Sequence, residues 1–251
     1  GRGGYCRSYS GGSASGSTFP STDLVAFYKL DESSGDALDS SGNSKTFTEN
    51  GTVASTTGTI GGETVDVRTL DRPAGEYFSR ADDADFDVGD GNDFTISFWA
   101  AASSSMGNYN SGGIFSKRNA VGASDAGYSI DLRKVNSDTY IRYNGVSDGT
   151  TTVGDSNSST GIATDTFAHY IMVFTADATV VTFVNNVQYS SEDVSSVTGS
   201  LANSIDSYIG QRAYNSNGDI IADVTHLGFW SKALDANERT ALYNSGKVLA
   251  P

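Results

Sequence analysis

Short runs in which apolar and polar residues alternate, each cut off by Gly, Asn, Asp or Ser, extend from Leu24 almost to the C-terminus. Alternation with a period of two gives a strand one apolar face. The clearest case is DFTISFWA, residues 93–100, where Phe94, Ile96 and Phe98 alternate with Thr95, Ser97 and Trp99. Its apolar face belongs in a core, and Trp99 is expected to cover the other face. LVAFYKL, residues 24–30, reads as a first strand of mixed facing, and GGIFSKR, AGYSIDL and DTYIRYNG read as successive strands. FAHYIMVFTADATVVTFVNNVQY reads as a hairpin turning at Ala176 to Ala178, with a second turn at Asn185-Asn186. SYIGQRA leads into a final strand carrying Val224, Leu227, Phe229 and Trp230.

The period then changes. Asp235 stands three residues before Glu238, a capping-box arrangement, and Ala241, Leu242 and Tyr243 supply an apolar side. Gly246 suits the stop. One helix near residues 235–245 is expected to close an otherwise β-rich chain, with Phe94, Phe98, Trp99, Phe174, Phe183 and Phe229 largely buried.

Three stretches resemble the laminin-G-like domains of the concanavalin A-like lectin jelly-roll family. Tyr28, Leu30, Asp31 and Glu32, followed by Asp39, Ser40, Ser41, Gly42 and Asn43, are similar to the family's opening. DFTISFWA is similar to its core strand, and FWSKALDANERTALYNSGK to its closing strand and helix. The resemblance covers residues 23–247. It implies an all-β fold, a two-sheet antiparallel jelly-roll sandwich with one short C-terminal helix. Function is left open, because the family includes lectin modules, adhesion domains, domains of phage and bacterial surface proteins, and hydrolases. The resemblance also implies one structural calcium, with Asp31 and Asp39 at the matching positions. Where the family often has an Asp-Glu pair in its last strand, this sequence has Thr225 and His226.

Composition narrows the field of partners. The 251 residues carry a formal net charge of −14, which repels nucleic-acid phosphates and anionic membrane surfaces. No run has the length and apolarity of a membrane-spanning helix, so no membrane insertion is expected. Cys6 is the sole cysteine, so no internal disulfide forms. His169 and His226 both fall inside expected strands and read as core or sheet-surface histidines. Glu32, Glu49, Glu63, Glu76, Glu192 and Glu238 are scattered, without the paired carboxylates that flank a glycosidic bond in glycosidases. Asp131 in YSIDLRK is placed to face a partner across the sheet. The acidic run ADDADFDVGDGND has Val88 and Phe94 where an EF-hand needs glycine and glutamate, and reads as a solvated loop.

Residues 1–22 form a Gly/Ser-rich arm, and residues 23–251 form the jelly-roll domain. Ordering such an arm costs on the order of 1–2 kcal/mol of backbone entropy per residue. It is therefore expected to lie against another subunit, or otherwise against the sandwich, with Tyr5, Tyr9 and Phe19 as apolar anchors and Arg2 and Arg7 near acidic groups of the other subunit. A start at Gly1 rather than Met is expected to reflect processing or a longer product. Glycan contacts require exposed aromatics beside Asn, Asp or Arg. Two loops have these ingredients: GNYNSGG with Tyr109 and Asn110, and QRAYNSNGD with Arg212, Tyr214 and Asn215. Tyr140 and Tyr143 on one strand form a further candidate patch. The expectation is a non-enzymatic structural and recognition module of an extracellular assembly, on a virion or as a cell-surface filament or adhesin. Its partners would be other protein subunits and cell-surface glycans. A secreted or cell-surface lectin is the alternative reading, and a glycoside hydrolase or lyase the third.

Overall fold

β-Branched and aromatic runs between Gly, Asn and Asp turns form sixteen strands and one α-helix in the computed structural model, which describes residues 17–118, 125–154, 161–212 and 219–251. The first eight strands are β1 (Leu24–Tyr28), β2 (Thr48–Asn50), β3 (Ala54–Ile60), β4 (Glu63–Asp71), β5 (Tyr77–Arg80), β6 (Phe94–Ala102), β7 (Ser111–Arg118) and β8 (Gly127–Val135). Then follow β9 (Asp138–Ser147), β10 (Thr152–Val153), β11 (Ile162–Ala163), β12 (Ala168–Thr175), β13 (Thr179–Val184), β14 (Val187–Asp193), β15 (Ser207–Ile209) and β16 (Ile221–Trp230). Helix α1 spans Ala236–Tyr243.

The strands make two antiparallel eight-stranded sheets. The first runs β14-β13-β12-β6-β16-β4-β3, with β1 continuing the β4 position along the upper half of β16. The second runs β10-β9-β8-β7-β15-β5-β2, with β11 also on β9. This is the jelly-roll sandwich that the alternation and the resemblance imply.

Aromatic rings fill the space between the sheets. Phe94 on β6 lies 4.6 Å from Tyr128, 4.9 Å from Phe174 and 5.8 Å from Phe229. Phe229 in turn meets Phe86 at 5.1 Å and Phe115 at 5.6 Å. Rings at these separations gain beyond their area burial, about 0.5–1.5 kcal/mol per pair. All six aromatics expected inside are buried.

Part of the outer face of the first sheet is also covered, over the β6 region, where every residue of the strand is buried. Trp99 stacks on His169 at 4.9 Å and on Tyr243 of α1 at 6.1 Å. Phe27, Trp230, Leu234 and Leu242 form a second cluster beneath the helix. Thr95 Oγ1 fixes the helix approach by donating to the Lys232 carbonyl at 2.8 Å and accepting from Leu234 N–H at 3.0 Å. The Asp235–Glu238 capping box is formed. The helix ends earlier than Gly246, because Asn244 takes the left-handed conformation (φ 46°) and caps it.

Phe19 packs on its own domain, with its ring at 5.1 Å from Phe27 and 6.0 Å from Trp230. Pro20 joins it, accepting a 2.7 Å hydrogen bond from Trp230 Nε1. Arg2, Tyr5, Arg7 and Tyr9 lie outside the described residues.

The acidic run is not a free solvated loop either. Asp82 and Asp87 neutralise the fully buried Lys117 at 2.5 and 3.3 Å. Asp83 pairs with Lys45 and Arg80. Burial works to raise the Asp83 pKa, but hydrogen bonds from Lys45 and Arg80 bring it down to about 2.

Burial and the neighbouring His226 hold His169 neutral, with its pKa lowered to about 3, and burial lowers His226 to about 4. An unfolded histidine binds a proton near pH 6.5, and these folded ones do not. Stability is therefore full above about pH 6.5 and falls as pH drops, by roughly 1.4 kcal/mol per pH unit for each histidine. Urea unfolding at pH 7 and pH 5 should show a lower midpoint at pH 5, and His169→Gln should reduce the difference by about half, leaving the His226 contribution. Equal midpoints in the parent chain would contradict the burial argument.

Candidate functional site

The described ends of the second loop, Arg212 and Asp219, meet Ser111 and Asn110 of the first at one end of the second sheet. After β15 the chain passes over the outer face of β7, so closely that a Cβ on Gly113 would lie 2.8 Å from the Gln211 carbonyl. This crossing delivers Arg212 to Asp131 on β8, where the guanidinium Nε donates at 2.9 Å and Nη2 also pairs with the carboxylate. Nη2 reaches Ser111 Oγ at 2.7 Å as well. Asp131 is fully buried and also accepts from Ser129 Oγ at 2.8 Å. Arg142 Nη1 donates to the same Ser111 hydroxyl at 3.2 Å.

Asn110 ties the other loop to this cluster, its Nδ2 donating to Asp219 Oδ2 at 2.8 Å. The turn before it is held firmly. Tyr109 N–H donates to the Lys134 carbonyl, and Lys134 N–H donates to the Asn110 carbonyl, both at 2.9 Å. Asn136 N–H donates to Asn108 Oδ1 at 2.6 Å. Lys134 Nζ is drawn inward to the Met106 carbonyl at 2.6 Å. Tyr109, with φ 64°, stands out from this frame with 61 % of its surface exposed, the one aromatic in the exposed class among the described residues.

The candidate residues thus divide. Tyr109 and Asn110 sit on the rim. Arg212 lies beside them but is buried, so its guanidinium serves Asp131 rather than a sugar hydroxyl. Tyr214 and Asn215 lie outside the described residues. Tyr143 is core, and Tyr140 is half-buried on β9. The reading of the sequence missed Ser111 and Asp219, although Asp219 closes the QRAYNSNGD loop that it singled out.

The expected calcium residues do not fit a cation. Asp39 Oδ1 accepts from Phe27 and Ser41 N–H at 3.0 and 2.9 Å. Its Oδ2 accepts from Ser41 Oγ and Lys45 N–H at 2.9 Å each. Burial would raise its pKa, yet these hydrogen bonds hold it below the usual carboxylate range. Its lone pairs face donors, where calcium needs them free. Asp31 is exposed and faces His226, whose charged form it favours. No cluster of three acidic, histidine or cysteine side chains is set to hold a metal among the described residues.

Ser97 Oγ and His169 Nε2 stand 2.7 Å apart, a spacing suited to a nucleophile and its base. Both residues are 2 % exposed beneath Trp99 and Tyr243, so a substrate has no approach to them.

The sequence model of the concanavalin A-like lectin/glucanases superfamily matches residues 74–238. The chain belongs to this superfamily. None of the curated proteins matches the chain. Among solved structures, the binding domain of Paraclostridial mosquitocidal protein 1 is similar at TM-score 0.69 and 14% identity, over 90% of this chain and 52% of that one. A botulinum neurotoxin type C structure, described by cell entry dependent on two ganglioside molecules, is similar at TM-score 0.60 and 14% identity, over 90% and 51%. The Trypanosoma rangeli sialidase with a bound difluorosialic acid is similar at TM-score 0.58 and 15% identity, over 92% and 34%. This chain spans about half the length of the two toxin structures. At these identities the likeness is one of fold.

The Asp131–Arg212 pair should be structural. Asp131→Asn leaves a buried guanidinium without its counter-charge, at about 3–5 kcal/mol in chemical unfolding. The double variant Asp131→Leu with Arg212→Met should recover most of that loss. Additive losses would show that the two do not act as a pair.

Proposed function

We propose that this domain binds carbohydrate without acting on it, using the rim around Tyr109. The observation that carries this reading is a solvent-exposed tyrosine on a turn already fixed by backbone hydrogen bonds, beside Asn110 and Asp219. A fixed aromatic face stacks on a sugar ring with little further ordering cost, and amide and carboxylate groups beside it hydrogen-bond hydroxyls. Support also comes from superfamily membership and from similar structures described as binding domains, one of them tied to gangliosides. Those structures belong to toxins, which favours an extracellular setting for this chain. No helix among the described residues is long and apolar enough to cross a membrane. Screening on a glycan array should yield binding that Tyr109→Ala weakens about tenfold, the loss of one stacking face, with the unfolding midpoint unchanged. Binding that is indifferent to Tyr109 would move the site elsewhere. New reducing ends released from the bound glycan would contradict the non-enzymatic reading.

The second reading places the domain in a multi-subunit assembly on a virion or cell surface. Its support is the Gly/Ser-rich segment with Arg2, Tyr5, Arg7 and Tyr9, which leads into Phe19 and Pro20 seated beside Trp230. Light scattering should then report multimers that disappear when residues 1–16 are removed. A monomer in both forms would leave only the carbohydrate-binding reading.

A further inference from the structure

A groove of about 680 Å³ crosses the outer face of the first sheet, away from α1. Its floor is made by Thr56 of β3, Thr69 of β4, Asp223 of β16 and Ala101 of β6, with Ser103 just after β6, and one wall is Phe167. Phe167 follows Asp165 and Thr166 in the connection from β11 to β12 and lies on β3 at Gly58, where a Cβ would collide with its ring. Thr69 Oγ1 donates to Asp223 Oδ1 at 2.6 Å, which fixes that carboxylate. Asp165 is fixed by Ser104 N–H, which donates to its Oδ1 at 2.9 Å. The Tyr109 turn lies further along the β6–β7 connection that starts at Ser103, and Asp219 stands two residues before Ile221, so rim and groove are neighbouring surfaces with different lining residues.

We infer that this groove is a second saccharide site, selective for neutral and amine-bearing sugars and closed to acidic ones. The volume lies within the usual range of ligand pockets. The lining combines what sugar recognition needs: a partly exposed ring for an apolar sugar face, and hydroxyl and carboxylate groups for sugar hydroxyls. Among the described residues no Lys, Arg or His lines it, and its two charged residues, Asp165 and Asp223, are both acidic. Burial, partly offset by Thr69, and the nearby Asp165 raise the Asp223 pKa above the usual carboxylate range. Two carboxylates in one groove attract an ammonium and repel a further anion. The inference shares only the ligand class with the Tyr109 reading, and the two sites have separate variants.

The test is a titration of the intact chain with three hexasaccharides, followed by amide NMR. The probes are glucosamine hexamer, cellohexaose and hexagalacturonate. The first two should shift the amides of Thr56, Gly58, Phe167 and Asp223, and the third should not. Phe167→Ala should weaken both about tenfold, as expected for one aromatic face. Asp223→Asn should weaken the glucosamine hexamer more than cellohexaose. Thr56 is exposed, so Thr56→Arg should block the groove and leave the unfolding midpoint unchanged, which separates lost binding from lost folding. Tyr109→Ala should leave all of these shifts intact. Millimolar probe without shifts at these amides, or shifts from hexagalacturonate alone, would overturn the inference, whatever the Tyr109 variant does on the array.

Discussion

Burial of β6 on both of its faces is the constraint on which the other features depend. Phe94, Ile96 and Phe98 look into the aromatic layer between the sheets, and Trp99 and Thr95 look into the cover made by α1 and its approach. A strand buried on both sides cannot slip by one residue, because each side chain would trade an apolar contact for the wrong face. With β6 fixed, β12 and β16 are fixed beside it through their pairings. The second sheet is then set by the rings of Phe115 and Tyr128 against Phe229. Rim and groove therefore sit on a frame that has little freedom to adjust, which is what a preformed binding surface requires.

Charge follows the same frame. The chain is strongly acidic, yet three of its buried cations have a carboxylate at hand: Lys117 with Asp82 and Asp87, Arg68 with Glu49, and Arg212 with Asp131. Arg68 is fully buried on β4, with its guanidinium over the Phe78 ring at 5.1 Å. Such pairs contribute little net stability but make the loops that carry the partner residues costly to move. Part of the acidic surplus is thereby internal counter-charge rather than surface chemistry.

Local pattern made much of the fold legible. The alternation of DFTISFWA marked β6, Asp235 and Glu238 marked the helix start, and Asn185-Asn186, with φ of 50° and 64°, marked a hairpin turn. Period and cap are properties of adjacent residues. What stayed hidden depends on partners far along the chain. Arg68 reads as an ordinary polar strand residue until Glu49 is brought beside it from another strand, and Arg212 reads as a sugar ligand until Asp131 takes it. Asp39 has a calcium ligand's position in the family pattern, but the backbone around it turns into donors. The Phe167 groove has no local signature, because its lining comes from four strands and a loop. Tyr109 was legible, since a tyrosine between asparagines in a Gly-rich turn has nowhere to bury.

The central claim, that β6 is the fixed element of the scaffold, is tested most directly by native-state hydrogen exchange. Amides of Ile96 to Ala100 should exchange only through global unfolding, with the free energy that urea unfolding gives. Those of β14, an edge strand with several exposed residues, should exchange through cheaper local openings. Exchange of the β6 amides at a free energy well below global unfolding, or no slower than β14, would contradict it.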